Sequence, residues 1–147
     1  ESLGIECCQE VLNRYETYII TDCREGLEYC RRVGSENVNL LLDTFHMNIE
    51  EDNMFTSIKK YISKIGCIHI CENHRGVPGT GHIDWKQLIE TLEEVGYDGF
   101  LEMETFTEKG TEVARGMGIW RQIGKETPLE EAKKGIHFLK KTMKQEV

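Results

Sequence analysis

The chain has 147 residues, 39% of them hydrophobic and 30% charged, a composition that reads as a folded globular domain rather than a disordered one. Its net charge of −8 argues against a phosphate-backbone partner, which needs clustered Lys and Arg, so no nucleic acid is expected. No apolar run approaches the ~20 residues of a membrane span, so no membrane partner is expected either.

The opening ESLGIECC has neither a basic start nor a long apolar core, so no signal peptide is expected. The six cysteines (Cys7, Cys8, Cys23, Cys30, Cys67 and Cys71) form no C-x-x-C pair. They read as reduced thiols of a cytoplasmic protein rather than as a disulfide framework.

In chain order, four short apolar runs stand out: Ile5–Leu12, Val38–Asp43, Cys67–Cys71 and Phe100–Glu104. Each has strand length and is nearly continuously apolar, as strands buried on both faces are. Amphipathic stretches with helix punctuation separate them. Asp22 with Glu25, Asn48 with Glu51, Asp84 with Gln87 and Thr127 with Glu130 have capping-box spacing and mark four helix starts. Pro128 suits a first helical position. Gly34, Gly66 and Gly96 follow apolar stripes and read as left-handed helix stops. The last helix carries Leu129, Ala132, Ile136, Leu139 and Met143 at helical spacing. The order β-α-β-α-β-α-β-α, without linker or low-complexity segment, predicts one domain over 1–147, a parallel sheet covered by helices. Four βα units fit a small open sheet or half of a closed eight-stranded barrel, and pattern alone leaves both open.

In such folds ligands bind at the carboxyl ends of the strands. The strand-end polar residues are Glu10, Asp43, His69 (with Glu72 beyond) and Glu104, each about one βα unit from the last. Three carboxylates and an imidazole converging there suit a divalent cation such as Mn²⁺, Mg²⁺ or Co²⁺. The alternative is a row of solvated strand-end carboxylates. Arg14, Glu16, His46 and Arg75 follow the strands on the same predicted face. The arginines either neutralise carboxylates or bind substrate, or else form surface ion pairs. The run RGVPGTGHIDW is rich in glycine but lacks the phosphate-loop pattern, and reads as a sharp turn with Asp84 capping the next helix. Cys67, His69 and Cys71 invite a zinc reading. Same-face residues of one strand lie ~6.5–7 Å apart, too wide for three ligands of one tetrahedral ion, so packed thiols are the simpler account.

At these residues the chain resembles a known family. EVLNRYE, LLDTFHMNIEE, HICENHRGVPGTGHIDW, METF after GYDGF, and ARGMGIWR are similar to the C-terminal half of the D-tagatose 3-epimerase/D-allulose (psicose) 3-epimerase group of xylose isomerase-like TIM barrels. The resemblance covers nearly the whole chain. It implies an α/β fold made of strands five to eight of a (β/α)8 barrel. It also implies a metal-dependent isomerase that epimerises a ketohexose at C3 through a cis-enediolate, with Mn²⁺ the first choice of cation. Glu10, Asp43, His69 and Glu104 match the family's metal ligands, Glu10 and Glu104 its acid/base pair, and Glu16, His46 and Arg75 its substrate contacts. Thr105 stands where many relatives have proline, which changes loop stiffness but not the ligand. The half-barrel by itself is expected to be inactive and to associate through its open sheet edges, as a homo-oligomer. Other readings on the same scaffold are a hydroxypyruvate isomerase-like or inosose dehydratase-like enzyme, a metal-dependent endonuclease (disfavoured by the charge), and a non-catalytic half-barrel module.

Overall fold

A computed structural model describes residues 2–144. Four strands, β1 (Cys7–Glu10), β2 (Val38–Asp43), β3 (Ile65–Ile70) and β4 (Phe100–Met103), pair in parallel in the order β1-β2-β3-β4. Each follows its predecessor through a helical crossover, as parallel pairing requires. The helices are α1 (Cys23–Val33), α2 (Thr44–Glu50), α3 (Met54–Tyr61), α4 (Trp85–Glu94), α5 (Glu112–Gly116) and α6 (Pro128–Lys144).

Alternation along the strands sorts side chains to two faces. Leu40, Leu42 and Ile68 point to the helices and join Ile58 and Leu88 in a core where all five are fully buried. Burial of each such side chain contributes ~1.5–3 kcal/mol. The opposite face carries Glu10, Asp43, His69 and Glu102, and in this chain it is not covered by helices. The strands are therefore one-sided here: Phe100 of β4 is 75% exposed.

Three of the four expected caps are in place. The carboxylates of Asp22 and Asp84 accept from the N–H groups of Glu25 and Gln87, and the Thr127 hydroxyl accepts from the Glu130 N–H. Asn48 with Glu51 is corrected. Asn48 lies inside α2, which starts one residue after β2 because the Asp43 carboxylate accepts from the Phe45 N–H (2.7 Å). The next helix is capped by Asn53, whose Oδ1 accepts from the Thr56 N–H.

Gly66 is corrected as well. It sits inside β3 at a register shift against Leu40 and Leu41, where a Cβ would stand 2.6 Å from Cys8 Sγ. The preceding helix instead ends through a 3-10 turn at Ile62–Lys64. Gly34 and Gly96 do adopt the left-handed conformation. The face of α6 also differs from expectation: Leu139 is buried, but Leu129, Ile136 and Met143 are exposed, and Glu131 and Gly135 take the inner positions. All six cysteines are free thiols.

Candidate metal and active site

The carboxyl ends of the four strands bring the expected residues together. One ligand atom from each of Glu10, Asp43, His69 and Glu104 lies within 4.8 Å of all the others. That is the scale of ligands around one cation held at ~2.1–2.5 Å. Glu10 and Glu104 come from opposite edges of the sheet, so the sheet must curl for their carboxylates to meet. The donor set also fits a cation chemically. His69 Nδ1 lies 3.9 Å from Glu10 Oε1 and 3.6 Å from Glu104 Oε2. Among the described residues it is the one buried side-chain N or O atom without a hydrogen-bond partner. A buried lone pair left unsatisfied is costly, and a bound cation would remove that cost.

Asp43 is fully buried and serves two structures at once. It caps α2, and its Oδ2 accepts from Arg75 Nη1 at 2.5 Å. Thr44 clamps this corner, its hydroxyl donating to the Cys71 carbonyl (2.6 Å) and accepting from the Cys71 N–H (3.0 Å). Arg75 also donates to Glu104 Oε2 at 3.0 Å. Its guanidinium lies over the ring of Phe45, 4.1 Å from the centroid, with Phe106 at 5.3 Å.

His46 is 1% exposed. The Asn13 backbone N–H donates to its Nδ1 at 3.1 Å, and the Asn13 side-chain amide lies 2.8 Å from the same atom. Nε2 faces Glu10 Oε1 at 3.8 Å and, at 3.0 Å, Arg75 Nη2, which can only donate, so both ring nitrogens of His46 meet donors. Burial first, then the Arg75 charge, pushes the His46 pKa down to about 4, so the ring is neutral near pH 7. Burial, reinforced by the Glu104 and Asp43 charges, holds the Glu10 pKa above the usual carboxylate range. Burial and Asp43 push the Cys71 thiol up to about 12, so it stays protonated.

Glu16 joins the site through Asn13, whose amide donates to Glu16 Oε1 at 2.9 Å. Arg14 does not join it. Its side chain is turned to the surface, paired with the Glu50 carboxylate, which also accepts from the Arg14 backbone N–H. The zinc triad is not assembled, since Cys71 Sγ turns to Asp43 and Arg75 while Cys67 groups with His69 and Glu102.

Asn13, which sequence reasoning passed over, and Glu72, which it noted only as lying beyond His69, organise the site. Asn13 sits within the strand-end motif as a polar residue after Val11 and Leu12, and it is 1% exposed. Glu72, also fully buried, gathers the glycine-rich loop: its carboxylate accepts from the Gly79 N–H (2.9 Å), the Ile83 N–H (3.2 Å) and Trp85 Nε1 (2.6 Å). A cavity of about 360 Å³ beside that loop is lined by His74, Val77, Thr107 and Lys134 and includes none of the four candidate ligands.

Four βα units with a polar cluster at their carboxyl ends define a class, and comparison with known proteins agrees. Residues 1–142 match the xylose isomerase-like TIM barrel family, and the chain belongs to it. Among individual relatives, it is 42% identical over 123 residues to D-psicose 3-epimerase of Ruminiclostridium cellulolyticum, covering 84% of this chain and 42% of the relative. It is 37% identical over 125 residues to L-ribulose 3-epimerase of Mesorhizobium japonicum, again 84% of this chain and 42% of the relative. The crystal structure of D-psicose 3-epimerase with D-tagatose from Clostridium cellulolyticum H10 superposes with a TM-score of 0.89 at 38% identity, covering 97% of this chain and 50% of that one. The chain thus spans about half the length of the relatives it matches, and its fold is half of a TIM barrel. No helix among the described residues is long and apolar enough to cross a membrane.

Proposed function

We propose that this chain supplies the metal-binding and proton-transfer half of a ketose 3-epimerase. The observation that carries the reading is the convergence of Glu10, Asp43, His69 and Glu104, with the unpartnered His69 Nδ1 among them. The relatives' names, D-psicose and L-ribulose 3-epimerase, supply the substrate class, a ketose. The four residues would hold a divalent cation, with Mn²⁺ first and Mg²⁺ or Co²⁺ as alternatives for an oxygen-rich set with one imidazole. When bound, the cation supplies Lewis-acid polarisation of the ketose carbonyl, which acidifies the neighbouring C–H.

The chain's own groups do the rest. One of Glu10 and Glu104 takes the C3 proton, leaving an enediolate, and the other returns a proton to C3 from the other face. The neutral His46 presents Nε2 beside Glu10 and Arg75, where a substrate oxygen would sit. Arg75 offers positive charge beside developing negative charge, and Glu16 is placed to accept from a sugar hydroxyl. The enzyme needs both halves of the barrel, and this half alone is proposed to be inactive.

The test is Mn²⁺ binding and turnover of a ketose panel by a full-length protein carrying this chain. The expected result is about one Mn²⁺ per chain, epimerisation at C3, and loss of at least ~10²-fold in turnover on either Glu10→Gln or Glu104→Gln. Undiminished turnover in either variant would remove that residue from the proton-transfer pair.

A further inference from the structure

We infer that Glu102 is a positioning residue that sets the tautomer of His69, keeping the Nδ1 lone pair turned toward Glu10 and Glu104. The inference rests on the metal reading above for its purpose, but its geometry stands independently. His69 and Glu102 are register partners across β3 and β4, so the sheet itself fixes them side by side. Glu102 Oε2 lies 3.4 Å from His69 Nε2. Glu104, one residue past the end of β4, reaches Nδ1 of the same ring at 3.6 Å.

A neutral imidazole has one N–H. At Nδ1, two carboxylates at 3.6 and 3.9 Å would draw that proton toward themselves. A proton there would leave no lone pair for a cation. The Glu102 carboxylate, 3.4 Å from Nε2, opposes this by drawing the proton to Nε2. Metal-ligating histidines characteristically give their other N–H to a carboxylate or carbonyl in this way.

Cys67 lies in the same cluster, its Sγ within 4.8 Å of ligand atoms of His69 and Glu102. A second, softer metal site of Cys67, His69 and Glu102 is therefore the competing account. The cadmium measurement below separates the two accounts.

The experiment uses the full-length protein with Glu102→Val and the isosteric Glu102→Gln, the latter deciding if the valine variant does not fold. Long-range ¹H–¹⁵N NMR of the metal-free protein reads the His69 tautomer, and titration reads Mn²⁺ affinity. The expected result is Nε2–H in the parent, a shift toward Nδ1–H in Glu102→Val with ~10–100-fold weaker Mn²⁺ binding, and a smaller effect in Glu102→Gln. An unchanged tautomer with affinity within twofold of the parent would overturn the role. So would a second Cd²⁺ bound with a thiolate charge-transfer band that disappears in Cys67→Ser. If the parent bound no Mn²⁺, the metal reading would fall, and the tautomer comparison would still decide the role of Glu102.

Discussion

Arg75 is the one described non-glycine residue with a positive φ, 67°. The left-handed conformation costs a non-glycine residue ~1–3 kcal/mol and persists only where surroundings impose it. Here they do. The Arg75 N–H donates to the Glu72 carbonyl (2.8 Å), its carbonyl accepts from the Phe106 N–H (2.9 Å), and its guanidinium is fixed between Asp43 and Phe45. Both Arg75 and Asp43 are buried, so removing the cation strands a buried carboxylate. Arg75→Ala is expected to lose about 3–5 kcal/mol in urea unfolding of the metal-free protein. Arg75→Gly, which loses the same charge but relieves the backbone, is expected to lose about 1 kcal/mol less. Equal losses in the two variants would show that the backbone stores no strain.

The loop between β3 and α4 is held by one buried carboxylate, that of Glu72, with three N–H donors on it. Close approach is built into the glycines around it. Gly79 has φ +88°, with the Phe138 ring 2.6 Å from any Cβ, and at Gly81 a Cβ would stand 2.4 Å from Glu72 Oε2. Glu72→Ala leaves three donors without a partner, each costing ~1–3 kcal/mol if it stays buried. The expected outcome is a loss of at least ~3 kcal/mol in stability together with a changed Trp85 emission, whereas an unchanged emission would mean the loop is held by other contacts. Elements governed by neighbours in sequence were legible beforehand. Asp22, Asp84 and Thr127 cap their helices because a cap needs only a residue three positions on. Asn48 looked the same but lost to Asp43 and to Thr44, which is clamped on Cys71, a contact 27 residues away. Gly66 was misread for the same reason, its demand coming from Cys8 and Asn39 on other strands. At the site, the strand-end rule picked out Glu10, Asp43, His69 and Glu104 without coordinates. The parts played by Asn13 and Glu102 depend on which residues face each other across strands, and no local pattern records that.

At the scale of the molecule, β1 and β4 each leave one edge unpaired among the described residues, and Leu3, Ile5, Phe100 and Trp120 are all more than half exposed. Open edges and exposed apolar side chains recruit further strands. We expect the 147-residue chain on its own to self-associate in sedimentation velocity and to show no epimerase activity. A compact monomer would count against the first expectation and turnover against the second. The curl of the sheet carries a consequence of its own. Glu10 and Glu104 hang from strands that share no ladder, and their carboxylates mark a chord across an arc. If the proposed cation or sugar is gripped by both, it would fix the length of that chord, and so the radius of the arc. Loading the site would then be a mechanical act as well as a chemical one, setting the curvature that the free edges present to the other half of a barrel.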